Sequence, residues 1–168
     1  MNVMRAIPKI LIVDDEKDLC EILEFNLSNE GFKTEVAHSA EAALRKPLDT
    51  FDLILLDVMM SEMSGYKMAS VIRKDLKLAV PIIFLTARTS ENDLLTGFNV
   101  GGDDYISKPF SIKEVIARVK AVLKRSAGEQ TAINILKVEN LEINTNNKTV
   151  NIDNSEVNLT RKEYEILL

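Results

Sequence analysis

The chain has 168 residues, 46% of them hydrophobic and 28% charged, enough for one full domain with its own core plus a remainder. Its net charge of −5 is shared, with 17 basic against 19 acidic residues before Ala127 and 4 against 7 from there on. Neither part has the clustered Lys and Arg that would make a general nucleic-acid binder, a lone Cys20 excludes an intrachain disulfide, and a lone His38 excludes a multi-histidine metal site. No apolar run is long enough to span a bilayer and none resembles a leader peptide, so the expectation is a cytoplasmic protein without a membrane partner.

The first element is the apolar run "KILIV", Lys9 to Val13, which predicts a buried strand and ends against two carboxylates, Asp14 and Asp15. A helical stripe of Leu19, Ile22, Leu23 and Leu27 follows, with Cys20 as plain core and Gly31 suited to the helix C-terminus. The second strand, "KTEVA" from Lys33 to Ala37, is more polar and belongs at a sheet edge. His38 behind it is expected at the surface, and Ser39 as the next N-cap. Leu53 to Leu56, Pro81 to Leu85 and Asp104 to Ser107 complete five strands. The fifth helical segment starts at Ser111, with Glu114 placed to complete a capping box, and carries Ile112, Val115, Ile116, Val119, Val122 and Leu123 on one face. Five strands alternating with five helix-like segments predict an α/β fold, a doubly wound parallel sheet covered on both faces.

"RSAGEQT", Arg125 to Thr131, is small, polar and aperiodic and reads as a linker. The segment after it alternates in short runs separated by Asn-rich turns, with "NTNNK" a good hairpin turn, and predicts a small antiparallel meander. "LTRKEYEILL" then predicts the start of a helix, with Thr160 as N-cap and Glu163 three residues on.

Ligands of an open parallel sheet bind beyond the carboxyl ends of its strands, where strand order reverses. To that edge the first strand delivers Asp14 and Asp15, the third Asp57, the fourth Thr86 and the fifth Lys108, followed by Pro109. Each has a plain alternative: "DDE" can cap a helix, Thr86 can cap a turn, Lys108 can be solvated. Three converging carboxylates, however, repel by roughly 4 kcal/mol per pair at 4 Å and an effective dielectric near 20, which calls for a cation. An open, all-oxygen site suits Mg²⁺, and a lysine and a hydroxyl opposite it suit a phosphoryl group in transfer.

The ordered set "ILIVDDEKD", "DLILLDVMMSEMSGYKMA", "PIIFLTAR" and "GGDDYISKPF" resembles the receiver domain of bacterial two-component response regulators, over about Lys9 to Arg125. The resemblance implies a flavodoxin-like strand order 2-1-3-4-5. It implies that Asp57 is the phosphoacceptor, becoming 4-aspartylphosphate at the expense of a sensor histidine kinase, and that Lys108 contacts the phosphoryl oxygens. Thr86 would be the switch hydroxyl and Tyr105 the switch aromatic. Mg²⁺ would be held by Asp15, Asp57 and the backbone carbonyl of Met59, with Asp14 acting through water. Such a protein is a self-modifying switch rather than an enzyme. The later segment resembles the start of the winged-helix effector of OmpR/PhoB-type regulators. That resemblance divides the chain into a receiver at 1–125, a linker at 126–131 and an incomplete DNA-binding domain at 132–168. DNA is then a partner only if the missing effector part is present, and the alternative is a receiver that works through protein partners.

The same resemblance implies a phosphorylation-dependent homodimer through the fourth helix, fifth strand and fifth helix, using Leu94, Leu95, Phe98, Asp103, Asp104, Glu114 and Arg118. Leu94 replaces a basic partner of Glu114, and Leu94, Leu95 and Phe98 are equally readable as core. Ser61 replaces a proline, and Gly101-Gly102 replaces Gly-Ala, which should loosen the turn. A haloacid-dehalogenase phosphatase would also use an Asp nucleophile, but needs a second aspartate where Met59 stands. A flavin or nucleotide carrier would need a glycine-rich loop where "DDEKD" stands.

Overall fold

The computed structural model describes residues 6–87, 99–127, 135–138, 141–144, 149–153 and 155–157. The chain divides into two compact units, Met1–Ser126 and Ala127–Leu168.

The first unit runs β1 (Lys9–Val13), α1 (Lys17–Asn29), β2 (Lys33–Ala37), α2 (Ala40–Leu44), a 3₁₀ turn (Leu48–Thr50) and β3 (Leu53–Asp57). It continues with α3 (Gly65–Ser70), widening into a π turn (Val71–Asp75), then β4 (Ile82–Thr86), β5 (Asp104–Ser107) and α4 (Ile112–Ser126), the fifth helical segment of the sequence. The five strands are parallel in the order β2-β1-β3-β4-β5, with the polar "KTEVA" strand at one edge as its composition predicts. Side chains alternate across the pleat, so each central strand feeds two cores. Ile10, Ile12, Leu53 and Ile83 pack with Cys20, Leu23, Leu27, Val115 and Val119 of α1 and α4. Leu11, Leu56 and Phe84 pack with Ala40, Ala43, Met68 and Ile72 on the other face.

Local signals acted as read at several points. Ser39 Oγ accepts from Ala42 N–H at 3.1 Å, Ser111 Oγ accepts from Glu114 N–H at 3.1 Å, and Gly31 takes φ +91° just beyond α1. Ile22 departs from its expected place in the core stripe, being 49% exposed beside Phe25 at 66%. At 100° per residue, Ile22 stands roughly 130° from the direction shared by Cys20, Leu23 and Leu27, so burying those three turns it to solvent. The Glu114 carboxylate does not complete a capping box but accepts from Arg118 Nε at 3.2 Å. Arg125 and Ser126, expected in the linker, are the last residues of α4, where Ser126 Oγ donates to Val122 O at 3.0 Å. The turn at Gly101 is tied rather than loose: its carbonyl accepts from Arg73 Nε at 3.2 Å and Nη2 at 2.8 Å.

The second unit contains β6 (Ile135–Val138), β7 (Leu141–Asn144), β8 (Thr149–Ile152) and β9 (Ser155–Val157), an antiparallel sheet in sequence order. Asn144 pairs with Thr149, so β7 and β8 flank the segment expected to turn. Residues 145–148 themselves, the linker residues 128–131 and the expected helix at Thr160 lie outside the described residues.

Candidate functional site

β1 runs straight into the acidic pair, and the chain then turns into α1. Glu16 is the N-cap of α1 and has no side-chain cap bond, so the cap reading of the acidic run does not hold, and Asp14 serves the site instead. Its Oδ1 accepts from Glu16 N–H at 2.9 Å, an Asx-type turn that starts the helix, while Oδ2 accepts from Lys108 Nζ at 3.0 Å. It is fully buried, and Cys20 Sγ–H donates to its backbone carbonyl at 3.3 Å. Burial and the nearby Asp14 push the Cys20 thiol up to about 11, so it stays protonated as a small core residue. Asp15 faces outward, exposed, on the other side of the pair.

Asp57 is the last residue of β3 and only 2% exposed. Its Oδ1 accepts from Met59 N–H at 3.3 Å and lies 3.4 Å from Lys108 Nζ. Asp14, Asp15 and Asp57 each offer a carboxylate oxygen, all within 4.8 Å of one another. Desolvation first, and the charge of Asp14 second, raise the Asp57 carboxyl to about 6 despite Lys108. Asp14 is likewise raised, mainly by burial. Burial works against the Lys108 ammonium too, but its hydrogen bond to Asp14 and the field of Asp14 and Asp57 prevail, leaving its pKa above the ordinary lysine value. One ammonium shared among several crowded carboxylates leaves negative charge in excess, and an oxygen-only cluster of this size fits a hard divalent cation.

Lys108 reaches this edge because its N–H donates to Thr86 O at 2.8 Å, extending the β4–β5 ladder by one step before the cis Lys108–Pro109 peptide. Thr86 is fully buried at the end of β4. Tyr105, on β5, is buried with its ring centroid 5.2 Å from that of Phe84, so the aromatic lies inside the fold here. Asp14, Asp15, Asp57, Thr86 and Lys108 therefore share the edge foreseen for them, with Met59 beside Asp57.

Two contributors carried no assigned role in the sequence. Glu16 places Oε1 3.2 Å from Lys108 Nζ. Gly65 begins α3 so close to Asp57 that a Cβ there would lie 2.2 Å from the Asp57 carbonyl oxygen. The acidic run pointed at the first; nothing local to the "SG" dipeptide reported the second.

Leu94, Leu95 and Phe98 lie outside the described residues. The charged residues expected at a dimer face find partners within one chain. Arg118 Nη1 donates to both Asp104 oxygens at 3.0 and 3.1 Å, and Arg118 also holds Glu114. Asp103 Oδ2 accepts from Ile82 N–H at 2.9 Å and from Arg73 Nη2 at 3.3 Å. Arg118 is substantially exposed, so Arg118→Ala is expected to cost the monomer about 1 kcal/mol or less, read as a small drop in the urea midpoint. A larger loss would mean that the Asp104 pair carries the α4 contact.

Residues 10–120 match the family described as the response regulator receiver domain. The chain belongs to the response regulators. It is 38% identical over 165 residues to the transcriptional regulatory protein CpxR of Escherichia coli (strain K12), and 36% identical over 160 residues to the response regulator ArlR of Staphylococcus saprophyticus. Each match covers 95% of this chain and 70% of the relative. Among solved structures, the response regulator DrrB, an OmpR/PhoB homologue of Thermotoga maritima, aligns with a TM-score of 0.67 and 30% identity over 96% of this chain and 71% of its own. This response regulator is thus of the OmpR/PhoB family, and its sheet order is that of the receiver fold. Among the described residues no helix is long and apolar enough to cross a membrane.

Proposed function

We propose that Asp57 accepts a phosphoryl group from a phosphohistidine on a sensor histidine kinase. A carboxylate oxygen of Asp57 bonds to phosphorus as the P–N bond breaks and the imidazole leaves with the electron pair. The observation that carries this reading is a buried carboxylate, Asp57, facing a lysine ammonium at 3.4 Å within an acidic cluster open through Asp15. Asp15, Asp57 and the Met59 carbonyl would hold Mg²⁺, with Asp14 reaching it through water. When bound, the ion would offset the carboxylate charge and stabilise charge on the phosphoryl oxygens. Lys108 supplies the fixed positive charge on the other side, and burial of Asp57 limits access of water to the acyl phosphate. Slow hydrolysis then resets the site, so the chain is a switch altered by the reaction rather than an enzyme turning over an external substrate. Thr86 moves its hydroxyl to the phosphoryl group, and Tyr105 follows within the fold.

The output we propose is a homodimer through the face bearing Asp103, Asp104, Glu114 and Arg118, controlling transcription as the name of CpxR describes for that relative. Contact with DNA requires a recognition helix beyond the sheet of the second unit. Work in the cytoplasm accords with a phosphoryl donor of this kind. Incubation with Mg²⁺ and acetyl phosphate tests the central step by intact mass. Wild type is expected to gain one phosphoryl group, acetate leaving with the electrons of the broken P–O bond, and Asp57→Asn to gain none. Equal gain by the variant, or no gain by wild type, rejects the reading.

A further inference from the structure

We infer that Glu16 is a positioning residue which restrains Lys108 until the phosphoryl group arrives and thereby sets how fast Asp57 is modified; the inference rests on the phosphoacceptor reading above. Glu16 stands at the N-cap of α1, yet its side chain accepts no helix N–H. It turns to Lys108 instead, at 3.2 Å.

An ammonium has three donor hydrogens, and Lys108 Nζ already meets three carboxylates: Asp14 at 3.0 Å, Glu16 at 3.2 Å and Asp57 at 3.4 Å. A phosphoryl oxygen can take a hydrogen bond from Lys108 only by displacing one of them. Asp14 cannot yield cheaply, because it is fully buried and its 3.0 Å ion pair with Lys108 cannot be replaced by bulk water. Asp57 is the reacting group. Glu16 is 65% exposed and passes from Lys108 to water at little cost, so it is the partner that lets go. Its reach is set by the same cluster, since its own N–H is held by Asp14 Oδ1. Glu16 thus restrains Lys108 before the reaction and releases it as the phosphoryl group arrives.

The test compares rates of phosphoryl gain from acetyl phosphate, at saturating Mg²⁺, for wild type, Glu16→Gln, Glu16→Asp and Asp18→Asn. Glu16→Gln is expected to be roughly two- to fivefold faster than wild type, the range of an exposed ion pair. Glu16→Asp keeps the charge but is shorter by one methylene, and is expected to match Glu16→Gln because the contact is lost. Asp18→Asn removes a neighbouring exposed charge on the first turn of α1 and is expected to match wild type. The Lys108 side-chain nitrogen resonance should shift in both Glu16 variants and stay put in Asp18→Asn. The role is overturned if Glu16→Gln is no faster, if Asp18→Asn accelerates equally, or if Glu16→Asp behaves as wild type. If wild type gains no phosphoryl group at all, or Asp57→Asn gains it equally, the phosphoacceptor reading itself fails and this role falls with it. An unmoved Lys108 resonance in a normally reactive Glu16→Gln rejects the role alone.

Discussion

Gly65→Ala is expected to lower the thermal midpoint by roughly 10 °C and to slow phosphoryl gain on Asp57 by about a hundredfold. The added Cβ would lie 2.2 Å from the Asp57 carbonyl oxygen, 2.9 Å from its carbon and 3.0 Å from Val58 Cα. All three are backbone atoms, so no rotamer change relieves the clash. The start of α3 is also pinned, since Gly65 N–H donates to Val58 O at 3.1 Å. Overpacking of this kind costs about 1–3 kcal/mol, and the relief must come from moving either α3 or the end of β3. The second movement carries the nucleophile with it, and a displacement near 1 Å is enough for the rate loss. Calorimetry and the acetyl phosphate assay together check the prediction. A variant that melts lower but reacts normally would show that α3 moves and Asp57 stays.

Asp57→Asn is expected to stabilise the metal-free protein at neutral pH, by about 3 kcal/mol or roughly 5–10 °C. The Asp57 carboxyl is raised to about 6 in the fold, from an ordinary value near 3.8. Between those values the native state keeps a proton that the unfolded chain has released. Stability therefore falls as pH rises through the window from about 4 to 6, and the penalty is fully present above it. Asparagine keeps the shape without the charge, so the gain should be complete at pH 7.5 in EDTA and absent near pH 4. Added Mg²⁺ should narrow the difference, because a ligand that binds the native acidic cluster stabilises wild type in proportion to the logarithm of its concentration. Equal melting of the two proteins in EDTA at pH 7.5 would mean that Lys108 fully neutralises the cluster without a metal.

The two predictions differ in how visible their residues were beforehand. Asp57 ends an apolar strand, and its sheet edge also receives Asp14, Asp15, Thr86 and Lys108 in an order that the periodicity of the chain alone exposes. The strand order came from the resemblance to receiver domains, while the pattern of the chain placed only the polar β2 at the margin. Caps at Ser39 and Ser111 were readable because a helix N-terminus needs an acceptor within three residues. Gly65 was not readable in this way. Its requirement comes from α3 approaching the end of β3 across a loop, a distance that no local spacing encodes.

The sequence by itself determined which residues are buried strands, which chemistry gathers at their ends, and the family to which the motifs point, because hydrophobic period and residue type are local properties. Only the tertiary structure decided the rest. It turned Ile22 outward once Cys20, Leu23 and Leu27 were buried, and brought Glu16 to Lys108 across 92 positions of chain. It also gave Asp14 two tasks at once, and closed the Asp103 and Asp104 pairs within one chain. Each of these depends on which side chains meet in space, and packing sets that only after the sheet has closed on its helices.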